Sequence, residues 1–393
     1  MDDRGVEIMG DHLSGKQILY IVCGGIGAIE APRVVRELRR YGANVKVAMT
    51  SSASEFVQPL AFEWASAQGV VTQLSGQAEH ISKADAVIVA PATLDFIGKA
   101  AAGFADSSAM TLLQSQLGKV PVLFFPTMHK SMEENPLYQQ NLPRLKKVKG
   151  VSFHSGRGGE GKAKMPQPED AVRLICHLLS QSPLAGQHAV VTLGPTRSLI
   201  DDVRFVSNHS TGRLGVQIVD ELYRSGMSID ALCGPISVPR FEGPRWTDVI
   251  THADMQKALK KSLQPQTRTA IFAAAVLDYG VVRGRKGKTS SAQTLEVQLK
   301  PEPKLISLVP SLVKGRRLVK VGFKLESGVT TKSLLQLAKK ALVDQSSDLV
   351  IANRLEDVGA THHRAYLVTT RQVKELNGVH EIARSIRLEL ERK

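Results

Sequence analysis

Apolar residues in this chain cluster into short continuous runs, with few stretches of strict polar–apolar alternation. In the first half such runs are Lys16–Val22 (KQILYIV), Val45–Met49, Ala86–Ala90 and Val120–Phe125, with helical patterns over Ala31–Tyr41 and Glu169–Leu179. Unbroken apolar strands separated by helices predict strands buried on both faces, and so a parallel, doubly wound sheet. The glycine- and charge-rich stretch Ser155–Lys164 reads as a mobile loop, and Ser180–Gly186 (SQSPLAG) as a linker. The pattern then restarts. A strand over His188–Leu193 runs into a Gly194-Pro195 turn and a helix from about Gly212 to Ser225. Strands follow at Ala270–Ala274, Leu318–Phe323, Asp348–Ala352 and Ala365–Thr369, which predicts a second α/β sheet.

The 393 residues are enough for two domains, and 42% hydrophobic with 22% charged residues is the composition of a soluble globular protein. No apolar run approaches the roughly 20 residues that span a bilayer, and the acidic N-terminus lacks the regions of a signal peptide. Membrane association is therefore not expected, and a cytoplasmic location is. Cys23, Cys176 and Cys233 are far apart and in apolar contexts, as buried free thiols are, and no metal-ligand spacing is present. A formal charge of +14 calls for an anionic partner or a solvated basic face. The basic clusters at 36–40, 144–149, 283–288 and 314–317 form no single stripe, and aromatics are only 5%, so a nucleic-acid platform is poorly supported.

Candidate chemistry concentrates after the second strand–turn restart. The run Gly194-Pro195-Thr196-Arg197, Ile200-Asp201, Val203-Arg204-Phe205, Asn208 and Ser210-Thr211-Gly212-Arg213 leads directly into a helix. Small residues there expose backbone N–H groups at the positive end of the helix dipole, and Arg197, Arg204 and Arg213 add charge suited to phosphate. The Gly-x-Gly-x-x-Gly spacing is absent. Ala273-Ala274-Ala275-Val276 ends a strand and enters Asp278-Tyr279, where small residues permit close approach by a ligand, and the basic loop Arg283–Lys288 follows at once. A cationic loop beside a strand-end site suits closure over a triphosphate.

Together with Pro303-Lys304-Leu305 and Gly322-Phe323-Lys324-Leu325-Glu326, these motifs resemble the phosphopantothenate–cysteine ligase family over roughly residues 186–375. The resemblance implies that the carboxylate of 4′-phosphopantothenate attacks the α-phosphate of a nucleoside triphosphate, and that cysteine captures the acyl-nucleotide. It implies Mg2+ and a loop lysine, either Lys286 or Lys288. Matched by position, Asn208 contacts the acyl intermediate, and Arg204, Ser210, Gly212 and Arg213 bind substrate. Ala273, Ala274, Asp278, Pro303, Lys304, Phe323 and Lys340 fall at nucleotide contacts. Glu302-Pro303-Lys304 stands where bacterial members have Asn-Pro-Asp, which leaves the nucleotide as CTP or ATP.

In the first half, Gly24-Gly25-Ile26-Gly27, Met49-Thr50 and Ala90-Pro91-Ala92-Thr93 follow strands, with Phe56-Val57, Gly103-Phe104-Ala105-Asp106, Pro126-Thr127-Met128 and Glu134-Asn135-Pro136 beyond. These resemble the flavin-dependent cysteine decarboxylases over about residues 14–178. The resemblance implies FMN held by Gly25, Ile26, Thr50, Ala92 and Thr93, with His80 assisting proton transfer. Departures are concentrated here. His129 replaces the asparagine that holds the substrate carboxylate, and Arg157 aligns with the proton-donating cysteine. Asp95 and Glu30 add carboxylates near the flavin position, and an arginine, with pKa above about 12, cannot act as the lost acid.

The combined expectation is an α/β protein of two doubly wound, mostly parallel-sheet domains: a flavodoxin-like flavoprotein domain (14–180) and a Rossmann-like ligase domain (186–393). It would make coenzyme A precursors as a homo-oligomer, acting as ligase with an impaired decarboxylase. Two alternatives stand beside it: a fully bifunctional enzyme, and an inactive basic protein binding phosphate or nucleic acid.

Overall fold

The computed structural model describes residues 4–76, 78, 83–156, 164–290, 294–313, 317–359 and 362–393. It divides into two compact units, Met1–Ser180 and Gln181–Lys393.

The first unit is built on five strands: β1 (Gln17–Val22), β2 (Asn44–Met49), β3 (Ala86–Ala92), β4 (Val122–Pro126) and β5 (Val151–Phe153). All neighbours pair in parallel in the order β2-β1-β3-β4-β5. The unbroken apolar runs have a direct cause. Successive strand residues point to opposite faces, and both faces are covered. Tyr20 and Val22 enter a core beneath the helices Ala31–Arg40 and Pro168–Leu179, while Leu19 and Ile21 enter a second core with Phe96, Ile97 and Met110. Residues before 14 also belong to this unit, since Leu13 is fully buried and its N–H donates to Tyr41 O (2.9 Å). Strand order reverses between β1 and β3, which opens a crevice at their carboxyl ends.

The second unit adds β6 (His188–Leu193), β7 (Arg197–Leu199), β8 (Phe205–Ser207), β9 (Ser228–Cys233), β10 (Arg245–Asp248), β11 (Thr267–Phe272), β12 (Tyr279–Val281) and β13 (Leu299–Pro301). β14 (Val319–Glu326), β15 (Leu349–Arg354), β16 (Arg364–Val368) and β17 (Val373–Asn377) complete it. The main sheet has eight strands in the order β10-β9-β6-β11-β14-β15-β16-β17. Its first six are mutually parallel, and β16 and β17 are an antiparallel addition at one edge. This is the doubly wound order with its reversal between β6 and β11. The pairs β7–β8 and β12–β13 form two separate antiparallel hairpins. Helices Arg213–Arg224 and Val379–Glu391 cover one face of the sheet, whose core includes Val191, Leu193, Ile218 and Ile386. His252–Ser262 and Thr331–Asp344 lie over the other.

Candidate functional site

The carboxyl ends of β6 and β11 carry the two turns singled out from the sequence, and one buried hydroxyl ties them together. Thr196 is fully buried; its N–H donates to Ala275 O (3.3 Å) and its Oγ1 accepts from Leu277 N–H (2.9 Å). Asn208 strengthens the junction. Its Nδ2 donates to Ala275 O (3.2 Å) and Val276 O (3.0 Å), and its carboxamide oxygen has no protein partner among the described residues. Ser207 Oγ donates to Thr196 O (2.9 Å), which fastens β8 to the same turn. Asn208, Ala273, Ala274 and Asp278 are thus brought to one rim.

The helix start at Ser210–Arg213 depends on a glycine. Gly212 is the N-cap residue at a left-handed φ of +78°, and a Cβ there would lie 2.2 Å from Ile236 Cγ2. Gly212 N–H donates to Ser210 Oγ (3.4 Å), and Arg213 N–H to Thr211 Oγ1 (3.4 Å). Near Arg213 stands His363, whose imidazole pKa is pushed down first by burial and then by the positive field of Arg213 and by His362. Nothing in the sequence patterns pointed to His363.

Phe323 comes to this rim by register. Thr269 to Ile271 of β11 pair with Val319 to Val321 of β14, and Ala273 and Phe323 both pack on the core beneath the helix Arg213–Arg224. Pro303 and Lys304 follow β13; Glu302 N–H donates to Asp278 O (2.8 Å), which holds this segment to the β11 turn. His252 Nε2 donates to Pro303 O (2.8 Å), and its Nδ1 lies 3.9 Å from Glu302 Oε2. A cleft of ≈ 390 Å³ opens here, lined by Arg197, Leu199, His252, Leu277, Glu302 and Pro303. Arg197 stacks 4.0 Å over the Phe205 ring. Lys340 lies exposed on the helix Thr331–Asp344.

Arg204 and the basic loop are tied together through Asp201. Arg204 Nη1 donates to Asp201 Oδ2 (2.7 Å) and to Thr289 O (3.1 Å). The N–H groups of Val203, Arg204 and Thr289, in the face of burial, hold the Asp201 carboxyl well below the usual carboxylate range. Lys286 and Lys288 are exposed on the loop that Asp201 and Arg204 grip.

In the first unit, Gly24-Gly25, Thr50-Ser52 and Thr93 meet at the ends of β1, β2 and β3. A Cβ on Gly24 would lie 2.4 Å from Ser52 Oγ and 2.7 Å from the Ser52 backbone, so the approach requires glycine. Thr50 Oγ1 accepts from Ala53 N–H (3.3 Å) and lies 3.2 Å from Ser52 Oγ. Thr93 caps the helix Leu94–Ala102 through Phe96 N–H (3.3 Å). Hydroxyls, a glycine turn and a helix N-terminus are a donor set that fits a flavin phosphate. Ile26 is exposed beside them and Ala92 is buried in β3.

Both carboxylates noted near the flavin position have a cationic neighbour. Asp95 lies 3.3 Å from Lys99 Nζ, and Glu30 lies 3.2 Å from Arg33 Nη1. His129 caps the helix Lys130–Glu133, with Nδ1 accepting from Ser131 N–H (3.3 Å). His80 and Arg157 lie outside the described residues. Cys23, Cys176 and Cys233 are free and buried, and burial pushes the Cys23 thiol up to about 12.

Known proteins bear directly on both units. The model of the flavoprotein family matches residues 7–180, and that of the DNA/pantothenate metabolism flavoprotein C-terminal domain matches 184–390. The coenzyme A biosynthesis bifunctional protein CoaBC of Thermococcus kodakarensis is 35% identical over 372 residues, covering 93% of this chain and 91% of that protein. Its counterpart in Escherichia coli is 33% identical over 359 residues, covering 87% and 86%. The crystal structure of the DNA/pantothenate metabolism flavoprotein from Streptococcus pneumoniae is 26% identical with a TM-score of 0.48, covering 53% of this chain and 99% of that one. Among the described residues, no helix is long and apolar enough to cross a membrane.

Proposed function

The chain belongs to the bifunctional coenzyme A biosynthesis family, with a flavoprotein decarboxylase-type domain followed by a ligase domain, and on that premise we propose how each half acts. The second unit joins 4′-phosphopantothenate to cysteine. A carboxylate oxygen of phosphopantothenate bonds to the α-phosphorus of CTP or ATP as pyrophosphate leaves. The amine of cysteine then bonds to the acyl carbon, nucleoside monophosphate leaves and the amine gives up a proton. The observation that carries this reading is the junction of two strand-end turns at the β6/β11 reversal, tied by Thr196 and Asn208.

In this reading, Ser210, Gly212 and Arg213 bind the substrate phosphate at the helix N-terminus. The carboxamide oxygen of Asn208 faces the acyl intermediate, its nitrogen being held by Ala275 and Val276. Ala273, Ala274, Asp278, Pro303, Lys304 and Phe323 line the nucleotide, with Lys340 the outlying contact. A loop lysine offsets charge on the departing pyrophosphate, and Mg2+, when bound, would supply further positive charge. The protein works as a cytoplasmic homo-oligomer.

The first unit holds FMN through the glycine turn, Thr50, Ala92 and Thr93. FMN bound there would accept the electrons of thiol oxidation that precede loss of carbon dioxide. Completing that reaction needs an asparagine-like carboxylate holder and an acid. His129 is tied to Ser131, and the chain's three cysteines lie outside 155–164, so decarboxylation is impaired. The test is pyrophosphate release with Mg2+ and CTP or ATP: release must require phosphopantothenate, and sustained release over many turnovers must also require cysteine; sustained release that ignores either substrate refutes the ligase reading.

A further inference from the structure

His363 stands at the rim of the second sheet, and strand periodicity settles which way it faces. β15 runs parallel to β14, and β16 returns antiparallel beside it, with Val350 opposite Val368 and Ala352 opposite Tyr366. The residue that precedes Arg364 therefore lies at the carboxyl-end rim. Alternate residues of an extended chain share a face. Ala365 and Leu367 belong to the core beneath the helices Arg213–Arg224 and Val379–Glu391, so His363 lies on that same face. Its backbone is fixed by a bridge to Val358 and by its carbonyl, which accepts from Gly378 N–H (2.7 Å). The ring is less well provided. Nε2 is closed to solvent and has no hydrogen-bond partner among the described residues, an uncommon state for a buried polar atom.

The rim on this face is suited to an anion. The helix Arg213–Arg224 has no acidic residue in its first turn, and its N-cap, Gly212, offers no side-chain acceptor. The positive end of the helix is thus left to an outside group. Arg213 adds a full charge, near enough that its field, after burial, lowers the His363 pKa, and His362 acts in the same direction. Charges on the neighbouring elements are engaged elsewhere. Asp357 is held by Arg354 (2.7 Å) and Arg364 (2.7 Å), while Glu381 accepts from Asn377 N–H (2.8 Å) and lies 3.7 Å from Lys374 Nζ. Burial and the cationic side chain of Arg213 both favour a neutral imidazole before a ligand binds.

Resting on the ligase reading above, we propose that His363 is a further binding residue for the phosphoryl group held at Ser210–Arg213, neutral before the ligand arrives and protonated in the complex. A phosphate ester carries about two negative charges at neutral pH, which outweigh the repulsion from Arg213. The imidazolium is a donor at both ring nitrogens, and a phosphoryl oxygen is the acceptor that the ring lacks. The proton comes from solvent. By linkage, the affinity gained through His363 is full below the pKa of the free protein, which lies under the ordinary 6.5, and fades as pH rises through the higher value in the complex.

The test is calorimetric titration of the full chain near neutral pH in two buffers of different ionisation enthalpy, which counts the protons taken up on binding. Phosphopantothenate alone is one probe, and CTP or ATP with Mg2+ is the other. The two carry the same phosphoryl chemistry, so the probe that shows the His363 effect is the one seated at this turn. With that probe the parent should take up more protons than His363→Gln, by up to about one per site. Ionisation of the ligand itself is common to both proteins and cancels in the difference. His363→Ala should weaken binding about tenfold to a hundredfold at mildly acid pH, and its deficit against the parent should shrink as pH is raised. His363→Gln nearly fills the same space and keeps a donor, so it tests the proton count even where His363→Ala fails to fold. Equal proton uptake by the parent and His363→Gln with both probes, or unchanged affinity in folded His363→Ala, would overturn the role of His363 while leaving the ligase reading intact. A parent that binds neither probe removes the ligase reading, and this proposal with it.

Discussion

Replacing Thr196 by valine removes one oxygen from the junction on which the site is built and changes almost nothing else. The two side chains have nearly the same shape, and Thr196 is fully buried, so no water can substitute. The hydroxyl accepts from Leu277 N–H at 2.9 Å, and Leu277 is itself buried. Thr196→Val leaves that N–H without a partner, a desolvation cost of about 1–3 kcal/mol. In a domain the size of Gln181–Lys393, each kcal/mol lowers the melting point by about 2–4 °C, so the transition should fall by roughly 2–12 °C. The turn after β11 carries Asp278 and accepts from Asn208 at Ala275 and Val276, so its loosening should also lower ligase kcat/KM by about tenfold. Thr196→Ser retains the acceptor and should keep kcat/KM within about threefold of the parent. Calorimetric scans with the pyrophosphate assay measure both effects. A valine variant that melts within about 1 °C of the parent with unchanged turnover would refute the claim that this hydroxyl couples the two turns.

Other perturbations probe separate parts of the molecule. Asn208→Asp sets an acceptor-only group against Ala275 O and Val276 O and should reduce product formation at least about a hundredfold, read by pyrophosphate release. Arg387 and Glu221 form a buried pair at 2.7 Å between the helices Val379–Glu391 and Arg213–Arg224; Arg387→Ala should cost about 3–5 kcal/mol, measured by urea unfolding. Arg354, and then Arg364, hold the Asp357 carboxyl at about 2 against its ordinary value of 3.8. Because the folded form has the lower value, this stabilisation is present above about pH 4 and is lost as pH falls through about 2. The stability gap between the parent and Asp357→Asn should therefore close over that window in acid unfolding.

Much of the fold was legible because the central strands are buried on both faces. Ala86–Ala90 and His188–Leu193 could hardly be anything else once their apolar runs are bounded by proline or glycine. Strand order was not legible, since it is decided by which faces pack, and sequence proximity says little about that. Edge strands also escaped notice. Arg245–Asp248 and Val373–Asn377 each have one unpaired side, tolerate charge there and show no apolar run. The small hairpins β7–β8 and β12–β13 read simply as motif text, although they carry Asp201 with its bonded partners and the segment beside the cleft. Thr196 and Asp201 were visible as letters in a motif, but their roles arise from partners about 80 residues away, at Leu277 and Thr289. Arg204 is a similar case: its charge suggested a phosphate contact, and its bonds to Asp201 and to Thr289 O were not legible from charge.

The central claim is that the second unit condenses a phosphorylated acid with an amino acid at the expense of a triphosphate, and that the first unit fails to carry the product further. Mass spectrometry of a reaction containing phosphopantothenate, cysteine, Mg2+, FMN and CTP or ATP addresses it directly. Phosphopantothenoylcysteine should accumulate in step with pyrophosphate, with little of the species lighter by one carbon dioxide. Absence of the condensed product under both nucleotides would contradict the account.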